Sequence, residues 1–243
     1  MESVKDHYDS FLGEVYSWIL GDFEVAYRKN VELFAELNLV REAGELALDL
    51  GCGPGCQSLP LAELGYDVLA VDFCQDLLDE LSSRADQMRI KTVCDDILNF
   101  PDHLTEQPNL IVCMGDTLVH LPNRKSVASL VDKICVALKP AGLFIYAIRD
   151  YISYVPTGAD RFIPIRADDN RIFTCFLEYR DDVVHVHDIL HRRQDDNWHT
   201  SISDYLKLRL DTSDINHQLE INGMTIRRRF VVEGMITVVA EKS

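Results

Sequence analysis

The stretch Leu46-Ala47-Leu48-Asp49-Leu50-Gly51-Cys52-Gly53-Pro54-Gly55 decides the fold. Its first half is a short run, apolar except for Asp49, of the kind found in buried strands of parallel sheets. Its second half is rich in glycine, which has no side chain and lets the backbone turn sharply and approach a ligand closely. A turn at the carboxyl end of the first strand lies where α/β sheets bind ligands. The stretch therefore predicts a buried strand that runs into a ligand-binding turn.

The alternation of strand and helix continues along the chain. Apolar runs that are typical of strands occur at 46–50, 67–72, 90–94, 110–114 and 143–148. Between them, apolar residues recur at helical spacing, which indicates a parallel sheet covered on both faces. A helix at 211–222 and strands at 224–230 and 235–240 follow. We therefore expect an α/β fold with a doubly wound, Rossmann-like, seven-stranded and mostly parallel sheet whose last strand is reversed.

Two segments add to this single domain of residues 1–243. Residues 1–40, the helical leader, carry apolar and aromatic residues at helical spacing. Residues 157–210, the insertion, alternate with period two and predict an antiparallel β meander. Both faces of its first strand, 171–179, are largely apolar, so one should pack on the sheet and the other should meet a ligand or a second subunit. We expect the insertion to cover the acceptor site, and a homodimer is one arrangement that the sequence allows.

Composition and charge exclude several classes of protein. The net charge of −16 leaves no basic footprint for nucleic acid. No apolar run approaches the roughly 18 residues of a membrane span, and the first residues carry no apolar signal-peptide core. The seven cysteines are scattered. We therefore expect a reduced, cytoplasmic enzyme with no nucleic-acid or membrane partner.

Asp72 extends the predicted ligand site to the second strand. It lies roughly 20 residues beyond Gly51, where a carboxylate accepts hydrogen bonds from ribose hydroxyls. A dinucleotide site would carry glycine at the position of Cys56, whereas Gly55 comes one residue early. The acidic Asp49 also suits a cationic ligand better than a pyrophosphate. A nicotinamide-dependent oxidoreductase nevertheless stays open as an alternative, and Asp72 could instead cap the following helix.

The chain resembles the class I S-adenosylmethionine-dependent methyltransferases over about residues 44–148. Asp49-x-Gly51-x-Gly53-x-Gly55 is similar to their first motif, and Leu138-Lys139-Pro140-Ala141-Gly142 is similar to the entry of their fifth strand. Asn109 departs from the family, which commonly has Asp there. The resemblance implies S-adenosyl-L-methionine as the cofactor. It implies these cofactor-binding residues: Tyr16, Asp49, Gly51, Cys52, Gly53, Asp72, Phe73, Asp96, Ile97, Met114 and Gly115.

The resemblance also implies a small-molecule methyl acceptor and direct in-line transfer. Arg149-Asp150-Tyr151 resembles the Arg-Asn-Tyr segment of glycine N-methyltransferases, in which the arginine pairs with a carboxylate. Arg149 is therefore one candidate catalytic residue, or else a partner of Asp150 at the surface. His120 is the other, either as a general base or as a cap of the helix near Asn123. Leader aromatics should cover the site. A protein that binds an adenosyl ligand without turnover is a further alternative.

Three histidines of the insertion share one face of a strand. His185 and His187 are close enough in sequence to chelate a metal, but His191 lies about 13 Å from His187 along the strand. No further ligand with suitable spacing is apparent. We therefore expect no metal site and assign these histidines to a solvated face or to the acceptor pocket.

Overall fold

Seven strands form the central sheet of the computed structural model, which describes residues 3–39, 44–232 and 234–243. They are β1 (Leu46–Leu50), β2 (Asp67–Asp72), β3 (Ile90–Cys94), β4 (Leu110–Cys113), β5 (Leu143–Arg149), β10 (Met224–Val232) and β11 (Met235–Lys242). Their order is β10-β11-β5-β4-β1-β2-β3, and β11 runs antiparallel to both of its neighbours. The predicted fold class, including the reversed last strand, is confirmed.

Helices cover the sheet and form the leader. They are α1 (Val4–His7), α2 (Gly13–Leu20), α3 (Phe23–Glu36), α4 (Ser58–Glu63), α5 (Gln75–Arg84), α6 (Arg124–Ala137) and α7 (Thr212–Ile221). A π-helical turn joins α1 to α2. Short polar side chains set several starts, because they accept a bond from an otherwise unpaired helix N–H. Asn123 caps α6 and Asp211 caps α7, so the predicted alternative role of His120 as the α6 cap is wrong. Among the described residues, no helix is long and apolar enough to cross a membrane.

The core lies in two layers, one on each face of the sheet. Because side chains alternate along a strand, Leu48 and Leu50 of β1 enter one layer and Ala47 enters the other. The first layer contains apolar residues of α6 and α7, and the second contains those of α3, α4 and α5. This double burial explains the nearly continuous apolar runs of the parallel strands.

The insertion contains a separate antiparallel sheet of four strands. They are β6 (Phe162–Ala167), β7 (Arg171–Tyr179), β8 (Val183–Gln194) and β9 (Asn197–Leu208), in that spatial order. The sequence predicted only the last three. β6 was not predicted from the sequence. All of its residues are exposed, and such a strand shows no alternation of buried apolar with exposed polar positions.

The leader packs against this second sheet. Leu12 and Val15 form an apolar cluster with Phe173 and Leu190. Next to it, the fully buried His7 makes hydrogen-bond contacts of 2.7 Å to Ser203 Oγ and 3.0 Å to Asp188 Oδ2. These contacts hold the leader and the insertion together on one side of the molecule.

Candidate active site

A cavity of about 910 Å³ opens at the carboxyl ends of the parallel strands. One wall, the strand-end wall, consists of loops that follow β1, β2, β3 and β4. The other, the covering wall, comes from the leader, from the insertion and from His120, which follows β4 but packs against both of them. Of the thirteen predicted site residues, eleven line the cavity: Tyr16, Gly51, Cys52, Gly53, Asp72, Phe73, Asp96, Ile97, Met114, Gly115 and His120.

Glycine is required at two positions of the turn after β1. Gly51 has φ +74°, and a Cβ there would overlap the Thr117 side chain. Gly53 has φ +50°, and a Cβ would project toward the Tyr16 ring, which stands 4.0 Å away. The left-handed backbone favours glycine at both sites. At Gly53, the missing side chain leaves bare backbone facing the cavity, as a close-fitting ligand needs.

Asp72 braces this turn from the end of β2. Its Oδ2 accepts a 2.9 Å hydrogen bond from the Gly53 amide, and its Oδ1 accepts one of 2.9 Å from the Cys74 amide. Burial raises the pKa of Asp72, while the backbone donors act in the opposite direction. Cys74, not Asp72, is the cap residue of α5. Asp72 therefore fixes the turn and also lines the cavity.

Asp49 does not reach the cavity. It is buried behind the turn, and its Oδ2 accepts a 2.6 Å hydrogen bond from Ser58 Oγ. Burial raises the pKa of Asp49 to about 7, with the Asp72 carboxylate adding to the effect. The expectation that Asp49 contacts the cofactor is thus corrected, because odd and even residues of β1 point to opposite sides and Asp49 points to the α4 side. It supports the turn from behind.

Asp96 and Ile97 line the cavity after β3. The Oδ1 of Asp96 accepts a 2.8 Å bond from the Leu98 amide and so caps a short 3₁₀ helix, Ile97–His103. Ile97 is buried next to it and offers an apolar surface to the cavity. The neighbouring Asp95 accepts hydrogen bonds from within the same loop, including one of 2.7 Å from His103. A carboxylate next to an apolar surface suits a ligand that has a planar ring with polar groups on its edge.

His120 lies on the covering side of the cavity. Its ring stacks on Tyr205 with a centroid distance of 5.5 Å, and Tyr8 meets it edge-on. Its buried Nδ1 has no hydrogen-bond partner among the described residues. Burial and the nearby Lys207 cation lower the pKa of His120 to about 3. The ring is therefore neutral at physiological pH, and as such a weak base it is better suited to hydrogen bonding than to proton abstraction.

A buried polar cluster that the sequence did not predict lies behind His120. Lys207 Nζ donates to Asp116 Oδ2 at 2.8 Å, and the Tyr151 hydroxyl donates to the same oxygen at 2.7 Å. Burial works against both charges, but Lys207 holds the pKa of Asp116 below its usual range, and Asp116 holds that of Lys207 well above its own. Asp116 also adopts φ +76°, an unusual conformation for a residue other than glycine. No sequence spacing could join these groups, because Lys207 comes from β9.

Arg149 lies outside the cavity, which corrects its predicted role beside the acceptor. Its side chain is exposed at the end of β5, with Nη1 near Gly234. Only its backbone amide takes part in the buried cluster, through a 2.9 Å bond to Asp116 Oδ1. Asp150 instead accepts bonds from the Ile152 and Ser153 amides. Arg149 is the last residue of β5 and pairs with Met235 of β11, and its side chain is exposed at that end of the sheet.

The leader aromatics divide into two groups. Tyr8 and Tyr16 line the cavity, with ring centroids 5.8 Å apart. Trp18 does not line it; its ring lies under the Arg171 guanidinium at 4.3 Å. Trp18 therefore joins the leader to the insertion instead of covering a ligand.

Part of the chain that carries this site matches a family of known proteins. Residues 47–142 match the methyltransferase domain family. The chain is 28% identical over 153 residues to a glycine/sarcosine N-methyltransferase of Aphanothece halophytica, covering 60% of this chain and 57% of that protein. It is 35% identical over 122 residues to a ubiquinone biosynthesis O-methyltransferase of Coxiella burnetii, covering 47% and 48%. The chain thus spans about half the length of these relatives.

A solved structure is similar over nearly the whole chain. An amino pentose methyltransferase from Micromonospora echinaspora, determined with S-adenosylmethionine bound, superposes with a TM-score of 0.77 and 13% identity, covering 96% of this chain and 97% of that one. This likeness extends the shared fold through the leader and the insertion. The resemblance to S-adenosylmethionine-dependent methyltransferases is confirmed.

Proposed function

We propose that this chain, whose residues 47–142 are a methyltransferase domain, transfers the methyl group of S-adenosylmethionine to a small-molecule acceptor. The observation that carries the proposal is one continuous cavity. The family's motif residues form its strand-end wall, and Tyr8, His120 and insertion residues face them. Its volume of about 910 Å³ is near the upper end for small-molecule sites. That supports a cofactor and an acceptor bound side by side.

The residues of the strand-end wall suit the cofactor. Bare backbone at Gly53 permits close approach, Asp72 can accept from ribose hydroxyls, and Asp96 with Ile97 can receive the adenine ring. Asp72 and Asp96 also favour a cationic ligand. When bound, S-adenosylmethionine supplies a methyl group already activated by its sulfonium. Little chemistry is then left to the protein beyond alignment and exclusion of water, and good alignment is worth about 7–11 kcal/mol.

We assign the acceptor to the covering wall. His120 offers an unpartnered Nδ1 and a neutral ring, so it can hold a polar group of the acceptor in line. Tyr8 and Tyr205 enclose it with aromatic surface. The acceptors that the relatives' names print, such as glycine, sarcosine and an amino pentose, are small molecules. This supports a small acceptor, with the buried Lys207–Asp116 pair setting the electrostatics behind it.

Calorimetry tests the cofactor assignment. The purified protein should bind S-adenosylmethionine and S-adenosylhomocysteine, with no measurable affinity for NAD. Micromolar binding of NAD, with none of S-adenosylmethionine, would overturn the proposal in favour of a nicotinamide-dependent oxidoreductase.

Turnover tests the second half of the proposal. A panel of small amines, amino acids, amino sugars and phenols should include one that yields S-adenosylhomocysteine and gains a methyl group by mass spectrometry. His120→Ala should raise KM for that acceptor at least tenfold and leave cofactor affinity unchanged, because we assign His120 to acceptor binding. Tight cofactor binding with no transfer to any panel member would favour a non-catalytic adenosyl-binding protein.

A further inference from the structure

Three potential metal ligands, none of which lines the cavity, meet on one face of the insertion's sheet. Glu178 of β7 pairs in register with His185 of β8, and His187 lies two residues further on the same face. Glu178 Oε2 is 2.9 Å from His187 Nε2 and 3.4 Å from His185 Nδ1. One ligand atom from each residue lies within 4.8 Å of the other two, and all three residues are half-buried.

A neighbouring carboxylate orients one of these rings for ligation. His185 Nε2 lies 2.6 Å from Asp204 Oδ2 on β9, so Nε2 carries the proton that bond requires. His185 Nδ1 then presents its lone pair. The Arg180 guanidinium, which can only donate, confirms this by contacting Nδ1 at 3.0 Å. A histidine that gives one ring N–H to a carboxylate and turns the other nitrogen outward is the arrangement found in metal sites.

We propose that Glu178, His185 and His187 form a binding site for a divalent transition-metal ion such as Zn²⁺. Two imidazoles and one carboxylate are donors that this class of ion prefers, at about 2.0–2.2 Å from the metal. The three atoms need only small side-chain rotations to converge on one ion. Arg180 is half exposed, so it is free to swing away as the ion replaces its positive charge. Solvent completes the coordination.

Spacing along one strand of the sequence could not reveal this site. Along β8 itself, the histidines are His185, His187 and the more distant His191, and this spacing predicts no metal site. The third ligand comes from the adjacent strand, and the pairing of Glu178 with His185 is visible only once the hairpin register is known. The orienting carboxylate likewise comes from the strand on the other side.

Titration of the full chain, without a polyhistidine tag and after chelator treatment, tests the proposal. We expect one Zn²⁺ per chain by calorimetry and, with Co²⁺, the visible absorption of a low-symmetry site. His187→Ala should weaken Zn²⁺ binding at least tenfold. His191→Ala is the matched control, since it lies on the same face of the same strand but contacts Thr200 Oγ1 at 2.8 Å. Absence of stoichiometric binding, or equal loss in both variants, would overturn the proposal.

Two further variants separate ligation from a general loss of folding. Glu178→Gln preserves the shape of the side chain, and it should also weaken Zn²⁺ binding at least tenfold with an unchanged thermal transition of the metal-free protein. Asp204→Asn should weaken binding about 10- to 100-fold, as expected when an orienting carboxylate is lost. Wild-type affinity in both variants would contradict the assigned roles.

Discussion

The two walls of the cavity are built by different means. The strand-end wall comes from loops directly after consecutive strands, within residues 51–117. Its Asp72 carboxylate is held by the backbone amides of Gly53 and Cys74, which are 19 and 2 residues away in the chain. The covering wall joins the leader to β8 and β9, nearly two hundred residues apart in the chain, through buried side-chain pairs such as His7 with Asp188. One wall is local and rests on backbone geometry, and the other is distant and rests on buried side-chain hydrogen bonds and on the Lys207–Asp116 ion pair. Breaking a buried pair should therefore lower the free energy of unfolding more than a substitution in one of the loops does.

The largest effect should follow from breaking the pair behind the covering wall. Lys207→Met leaves the Asp116 carboxylate buried without its cation, so we expect a loss of about 3–5 kcal/mol in the free energy of unfolding, measured by urea denaturation. The double variant Lys207→Met with Asp116→Asn should recover part of the lost free energy, because no buried charge is then left without a partner. The exposed Lys125→Met serves as the control. A loss no greater than that of the control would mean that the pair contributes nothing to stability.

Asp49, behind the strand-end wall, should make stability depend on pH. Its pKa is raised to about 7 in the folded protein, so folding favours the protonated form. The stability from this group is fully present below about pH 4 and is lost as the pH rises to about 7. Asp49→Asn removes this loss, so thermal and urea unfolding should show the variant gaining about 2 kcal/mol relative to wild type between pH 5 and pH 8. Parallel pH profiles of the two proteins would argue against a protonated Asp49.

The strand-end wall itself is tested by Asp72→Ala. The variant leaves the Gly53 amide without its acceptor and removes the acceptor that we propose for the ribose hydroxyls, so S-adenosylmethionine binding should weaken by about 1–3 kcal/mol in calorimetry. Asp79→Ala, an exposed acid of the following helix, is the matched control. Undiminished affinity in Asp72→Ala would mean that Asp72 only supports the turn, and it would contradict the assignment of the strand-end wall to the cofactor.

The smallest effect should come from Arg149→Gln. Because its guanidinium is exposed and lies outside both walls, kcat, KM and cofactor affinity should each stay within about twofold of wild type, as is usual for surface substitutions. A tenfold rise in the acceptor's KM, without a change in cofactor affinity, would restore the carboxylate-binding role that the sequence suggested.

Predictability from sequence follows the same division between the walls. Gly51, Asp72, Asp96 and Met114 could be placed on one cavity because the ends of parallel strands meet at one edge of a sheet. The resemblance to a family added their roles. Asp49 was expected to contact the cofactor, but its side chain points to the α4 side of the sheet. Proximity to a turn in sequence does not tell which side of the strand a side chain occupies.

The covering wall could not be derived in this way. Lys207 and Asp116 are brought together by the docking of the insertion on the sheet, which no periodicity encodes. β6 was missed because a fully exposed strand at the edge of a sheet leaves no apolar alternation to detect. Glu178 was missed because cross-strand register depends on the turn between strands, not on spacing along one of them.

The contact of Gly51 with Thr117 has an evolutionary consequence. Thr117 occupies the space where any side chain at position 51 would begin, and its hydroxyl is bonded to the Met114 carbonyl at 2.8 Å. The ends of β1 and β4 therefore share one small volume. A smaller residue at 117 would remove the overlap but not the strain of φ +74° at position 51, so sequences that diverge from this one should keep glycine at 51 even where residue 117 becomes smaller.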